Sequence, residues 1–151
     1  MTSDDVSVSE DGVARVAVIG SGPAGIYTAQ ALTDPAARAR VQVDVYDRLP
    51  VPYGLVRYGV APDHPKIKSI IGQLRKVMER PAVRFLGNIC LGADITLDEL
   101  RDYYDAVVVA SGASADRRLA VPGEDLPGSI SATEFVSWYS GIPTRPSTES
   151  P

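Results

Sequence analysis

A chain of 151 residues with 44% hydrophobic and 23% charged content has the size and make-up of one soluble globular domain, able to bury roughly 70% of its unfolded surface. With 15 basic and 19 acidic residues the net charge is −4, which speaks against a nucleic-acid partner. The single cysteine, Cys90, excludes an internal disulfide, and no apolar run approaches the ~20 residues that span a bilayer.

In chain order, residues 1–12 (MTSDDVSVSEDG) are acidic and polar, the reverse of a targeting peptide, and are expected to be a disordered tail in a reducing, cytoplasmic setting. RVAVIG, closing at Gly20, suits a strand buried on both faces. PAGIYTAQAL supplies helix formers from residue 23 to 32. VQVDVYD at 41–47 sets Val41, Val43 and Val45 against polar neighbours and reads as a second strand. The passage 48–65, RLPVPYGLVRYGVAPDHP, is too rich in proline and glycine to be regular throughout. KIKSIIGQLRKVMER at 66–80 predicts a helix with Ile67, Ile70, Ile71, Leu74, Val77 and Met78 on one face. AVRFLGN predicts a third strand, and Thr96 with Glu99 forms a capping box for the helix LDELRDYY. DAVVVASGA at 105–113 reads as another buried strand that stops at a glycine. Ser131 to Glu134 cap a last short helix through Trp138, and residues 142–151 are expected to fray. Alternating strands and helices over 13–141 predict an α/β fold, a Rossmann-like doubly wound parallel sheet.

Three glycines crowd the first strand–helix junction. Gly20, Gly22 and Gly25 fit G-x-G-x-x-G between a strand and a helix, as dinucleotide binding requires. The first permits the tight turn, the second lets a pyrophosphate approach the backbone, and the third lets the helix pack close to the strand. The pyrophosphate then sits at the positive helix N-terminus. Asp47 ends the second strand roughly 20 residues further on, where a carboxylate binds a ribose hydroxyl. Neighbouring Arg48 would suit a 2′-phosphate, which the acid beside it repels. These features bind an ADP moiety and do not separate NAD from FAD.

The run PVPYGLVRYGVAPDHPKIK is more specific. Together with VIGSGPAGIYTAQAL, FLGNICLG, YDAVVVASGA and VPGEDLPGSISATEFVSWYSG, it resembles the N-terminal part of the adrenodoxin-reductase-type ferredoxin–NADP⁺ reductases, from about Arg15 to Pro143. The resemblance implies an FAD-binding domain in which Gly20, Gly22, Ala24 and Gly25 hold the pyrophosphate and Asp47 takes the adenosine ribose. It places Leu55 on the flavin side of the cofactor and Leu91 in contact with FAD through its backbone. Gly112, within ASGA, would let the chain pass close to the cofactor, and Gly54 and Gly59 would let the long loop lie flat beside a planar ring. The activity implied is that of an oxidoreductase: NADPH gives a hydride to the flavin, which passes single electrons to a small acidic ferredoxin- or adrenodoxin-type iron–sulfur protein. Family members continue into a second glycine motif that binds NADP, and none occurs here. The expectation is therefore an incomplete FAD/NAD(P)-binding domain, truncated and without turnover of its own. Two other readings stay open: a non-catalytic module sensing NAD or ADP-ribose, and a fragment resembling the glutamate synthase small subunit.

His64, the sole histidine, matches a family histidine near the flavin; shaping the turn before the helix at 66 is the preferred alternative. Arg57, Lys66, Lys68, Arg75 and Lys76 form a basic stretch that could steer an acidic ferredoxin, although a solvated helix face is the plainer reading. Cys90 reads as a small buried hydrophobe, Trp138 and Tyr139 as packing residues. No metal-ligand cluster, carboxylate pair or nucleophile–base set is evident in the sequence.

Overall fold

A computed structural model describes residues 12–60, 64, 66, 69–113 and 116–143. Residues 1–11 and 144–151, expected as disordered ends, and Ile67 and Lys68 of the helix expected over 66–80 lie outside the described residues.

Four strands, β1 (Val13–Ile19), β2 (Arg40–Asp47), β3 (Val83–Gly87) and β4 (Ala106–Val109), form one sheet in the order β3-β2-β1-β4, and every pairing is parallel. Helices α1 (Pro23–Leu32), α2 (Gly54–Tyr58), α3 (Ile71–Met78) and α4 (Leu97–Tyr103) occupy the connections, and α5 (Ala132–Ser140) follows β4. The chain moves from β1 outward to β2 and β3, then returns to place β4 on the other side of β1. That reversal creates a crevice at the carboxyl ends of β1 and β4, where open α/β sheets bind ligands.

Strand alternation divides the core. Val16, Val18, Val43 and Val45 turn to one face and meet Ile26 and Ala29 of α1 and Leu74 and Val77 of α3. Ala17, Ile19 and Tyr46 turn to the other, where Leu100 of α4 is fully buried against them. Helices on both faces explain why β1 is a nearly continuous apolar run. α4 is opened by the expected capping box: Glu99 N–H donates to Thr96 Oγ1 at 3.2 Å, and Thr96 N–H donates to Glu99 Oε2 at 2.7 Å.

Several expectations need correction. Of the helix expected over 66–80, Ile71–Met78 forms α3, with a turn at Ser69 and Ile70 before it. β4 is four residues long and only half covered, with Val109 61% exposed, because it lies at the border of the described sheet. Trp138 and Tyr139 do not pack into a core; they are exposed, and both meet only the Phe135 ring on their own helix among the ring contacts of the described residues. Cys90 is half-buried. At the end of α5 the Ile142 N–H donates to the Ser137 carbonyl at 3.0 Å.

Asp44, a polar neighbour in the strand pattern, is buried. Its register partner on β3 is Arg84, which grips it with Nε to Oδ1 at 2.8 Å and Nη2 to Oδ2 at 2.6 Å. The Tyr104 hydroxyl donates to Oδ2 at 2.5 Å, so the 2.8 Å bond between Tyr46 and Tyr104 has Tyr46 as donor. Burial alone would raise the Asp44 carboxyl, but Arg84 and Tyr104 together outweigh it and hold the group below its ordinary range. Burial, then the bond to Asp44, pushes Tyr104 up. The depressed carboxyl adds stability that is present above about pH 4 and lost as pH falls through its folded value. The raised phenol adds stability that is complete below about pH 10 and lost above it. Asp44→Asn is expected to cost about 1–3 kcal/mol at pH 7, since a neutral amide cannot accept the guanidinium fork. Urea unfolding at pH 7 and pH 2 checks this: the deficit should shrink in acid, and an equal deficit at both would refute the charged role.

Candidate dinucleotide site

The site grows from the turn between β1 and α1. Gly20 has φ +111°, a region that favours glycine, and its N–H donates to the Tyr46 carbonyl at 2.7 Å. A Cβ there would collide with the Ala110 carbonyl at the end of β4. Gly20 is thus wedged between the ends of β2 and β4, at the point where the sheet reverses direction. Gly25 is buried beneath the turn, where a Cβ would collide with the Gly20 carbonyl and lie 3.2 Å from Val18. The third glycine therefore acts in helix–strand packing. Gly22 differs from both: no atom lies within 4 Å of where its Cβ would be. Its backbone opens onto space.

α1 begins at that opening. Gly22 is its N-cap, Pro23 occupies the first helical position, and no side chain caps or acidifies the first turn. The early N–H groups of Ala24 and Gly25 are left to the positive end of the helix, a ready seat for an anion.

Asp47, closing β2, reaches over the turn rather than away from it. Its Oδ2 accepts both the Ser21 N–H at 2.8 Å and the Ser21 hydroxyl at 2.5 Å, while Oδ1 accepts the Leu49 N–H at 2.9 Å. The loop that follows is tied to the same turn. Tyr53 N–H donates to the Ser21 carbonyl at 2.9 Å, and a Cβ on Gly54 would lie 3.0 Å from Gly22 Cα. Tyr53 and Gly54 both have left-handed backbones, φ 90° and 48°, and the Arg57 guanidinium stacks 5.1 Å from the Tyr53 ring centre. Gly54 thus makes a close backbone approach to Gly22, and Gly59 lies against Leu55.

These segments enclose a cavity of about 280 Å³. Of the residues expected from the sequence, Gly20, Gly22, Ala24, Asp47, Leu55 and Gly112 line it. Gly25 lies beneath it. Leu91 stands apart, bridged to Ile95 and packed with the Leu100 side of the core. His64 is exposed and is not among the described lining residues. Leu55 is 63% exposed, with its side chain at the cavity. Arg48, Gly54 and the rest of ASGA (Ala110, Ser111 and Ala113) also line it, and so do Pro23, Leu49, Tyr58 and Ile142, to which the sequence alone assigns no role. A separate hollow of about 240 Å³ beside Arg15, Asp44 and Arg84 lies away from the glycine turn, and its guanidinium fork is already taken by Asp44.

Within the basic stretch Arg57 Nε donates to the Pro52 carbonyl at 3.0 Å and Arg75 pairs with Glu79 at 2.6 Å. Among the described residues no helix is long and apolar enough to cross a membrane, and no group of three His, Cys, Asp or Glu is placed to hold a metal.

Comparison with known proteins agrees with this geometry. Residues 14–137 match the pyridine nucleotide-disulphide oxidoreductase family. The chain is 50% identical over 129 residues to the mitochondrial NADPH:adrenodoxin oxidoreductase of Salvelinus fontinalis, covering 85% of this chain and 26% of that protein. It is 51% identical over 132 residues to the NADPH-ferredoxin reductase FprA of Mycobacterium leprae, covering 85% and 29%. In structure it is similar to Mycobacterium tuberculosis FprA solved in complex with NADPH, with TM-score 0.82 and 49% identity over 86% of this chain and 29% of that one. The chain matches the N-terminal portion of these relatives and spans less than a third of their length.

Proposed function

The chain belongs to the pyridine nucleotide-disulphide oxidoreductase family, and we propose that it is the FAD-binding portion of an oxidoreductase passing electrons between NADPH and a ferredoxin- or adrenodoxin-type iron–sulfur protein. The observation that carries the reading is the open face of Gly22. Space is kept free where any side chain would project, directly before an uncapped helix and within reach of a strand-end carboxylate.

The residues present suit the ADP half of FAD. The backbone of Gly22 and Ala24 would receive the pyrophosphate, and Asp47 the adenosine ribose. Leu55 and Gly112 would flank the path toward the flavin, Leu55 through its exposed apolar side chain and Gly112 through a left-handed backbone (φ 68°) with no atom within 4 Å of its missing Cβ. A cavity of about 280 Å³ falls at the lower end of small-molecule sites, roughly 300–1,000 Å³, and matches part of a dinucleotide rather than the whole. When bound, FAD supplies hydride acceptance and one-electron release. This chain's residues contribute binding and orientation: the glycine turn excludes side chains from the diphosphate, and Asp47 repels a second phosphate on the ribose. The iron–sulfur partner and NADPH rest on the named activities of the relatives, and a cytoplasmic setting on the single cysteine.

Titrating the purified chain with FAD, NAD and ADP-ribose, read by flavin absorbance and calorimetry, tests the proposal. One FAD per chain with competition by ADP is the expected result. Binding of ADP-ribose without FAD would replace it with the sensing-module reading.

A further inference from the structure

We infer that Ser21, the residue between the first two glycines, is a positioning residue that fixes the Asp47 carboxylate and so commits the site to a ligand hydroxyl. The inference rests on the reading of this turn as a dinucleotide seat.

Ser21 is fully buried, and both donors it owns, the backbone N–H and the hydroxyl, go to the same oxygen, Asp47 Oδ2. An ionised carboxylate only accepts, with about four lone-pair positions. Ser21 fills two on Oδ2 and the Leu49 N–H takes one on Oδ1. One acceptor position is left, on Oδ1. A ligand group meeting Asp47 must therefore donate, as a ribose hydroxyl does and a phosphate does not.

Rotation about the last side-chain bond of an aspartate is intrinsically loose. With the hydroxyl removed, Oδ2 is held by a single N–H and the free position on Oδ1 is no longer aimed. The Ser21 backbone, including the carbonyl that accepts the Tyr53 N–H, is untouched by Ser21→Ala, so this change isolates the hydroxyl.

The test is calorimetry on the full chain with two probes, ADP and 2′,3′-dideoxyadenosine 5′-diphosphate, whose affinity ratio measures what the ribose hydroxyls contribute. Ser21→Ala is expected to weaken ADP about tenfold and to leave the dideoxy probe within about twofold. Ser21→Cys, with a weaker donor of similar size, should fall between. In an Asp47→Ala background, Ser21→Ala should bring no further loss, because it acts through that carboxylate. Equal weakening of both probes, unchanged ADP affinity, or full additivity in the double variant would overturn the positioning role and leave the dinucleotide reading standing. Failure of the unsubstituted chain to bind either probe would overturn both.

Discussion

Gly22→Val is expected to abolish FAD binding while shifting the melting temperature by no more than about 2 °C. The two halves of that result come from one fact. Nothing in the protein lies within 4 Å of the Cβ position, so the fold has room for the side chain. Gly22 also sits at φ −72° and ψ −179°, an extended backbone that valine adopts without strain. The added methyl groups instead enter the cavity at the start of α1, where the diphosphate must approach the backbone. Flavin absorbance after gel filtration and a thermal melt decide the matter. A variant that keeps FAD would remove the diphosphate from this turn.

Gly25→Ala should produce the opposite pattern, loss of the fold itself. A single methyl there collides with the Gly20 carbonyl, and the Gly20 carbonyl carbon is only 3.0 Å away. Backbone cannot rotate aside as a flexible side chain can, so α1 must lift from β1. That separation breaks the packing of Ile26 and Ala29, both fully buried, against the valines of the sheet. The expected cost is at least about 3 kcal/mol, a large share of the ~5–15 kcal/mol that holds a domain together. Equilibrium urea unfolding measures it, and a loss below about 1 kcal/mol would show that the helix–strand contact yields more easily than the geometry implies. Two glycines three residues apart in one motif thus serve different ends, one the ligand and one the core.

Much of this was legible before any coordinates. The bounds of α1 follow from Pro23 at one end and the end of the apolar pattern near Leu32 at the other. Thr96 and Glu99 form the capping box their spacing predicts. The glycine turn and Asp47 meet at the strand ends as the dinucleotide pattern requires. What escaped depends on partners distant in the chain. Asp44 looks like a solvent-facing position because alternation assigns a residue to a face without saying whether that face is covered. Arg84 and Tyr104, arriving 40 and 60 residues later, cover it. The valines of β4 suggest burial on both sides, yet a hydrophobic run cannot report where its strand lies in the sheet. Ser21 occupies a position that the glycine pattern leaves blank, and its role emerges only when β2 brings Asp47 alongside. Leu91 and His64 were placed by resemblance alone, and the cavity wall is built without them.

The left-handed backbone of Tyr53 has a consequence for how quickly and how tightly a guest is received. Such a conformation costs a residue with a side chain on the order of 1–2 kcal/mol, and it persists only where neighbours enforce it. Here the Ser21 carbonyl, the Arg57 guanidinium and the close approach of Gly54 to Gly22 do so. The segment beside the turn is therefore arranged during folding, and a newcomer finds its wall already standing. Little disorder is left to be removed at the moment of association, so the free energy of each new contact goes to affinity.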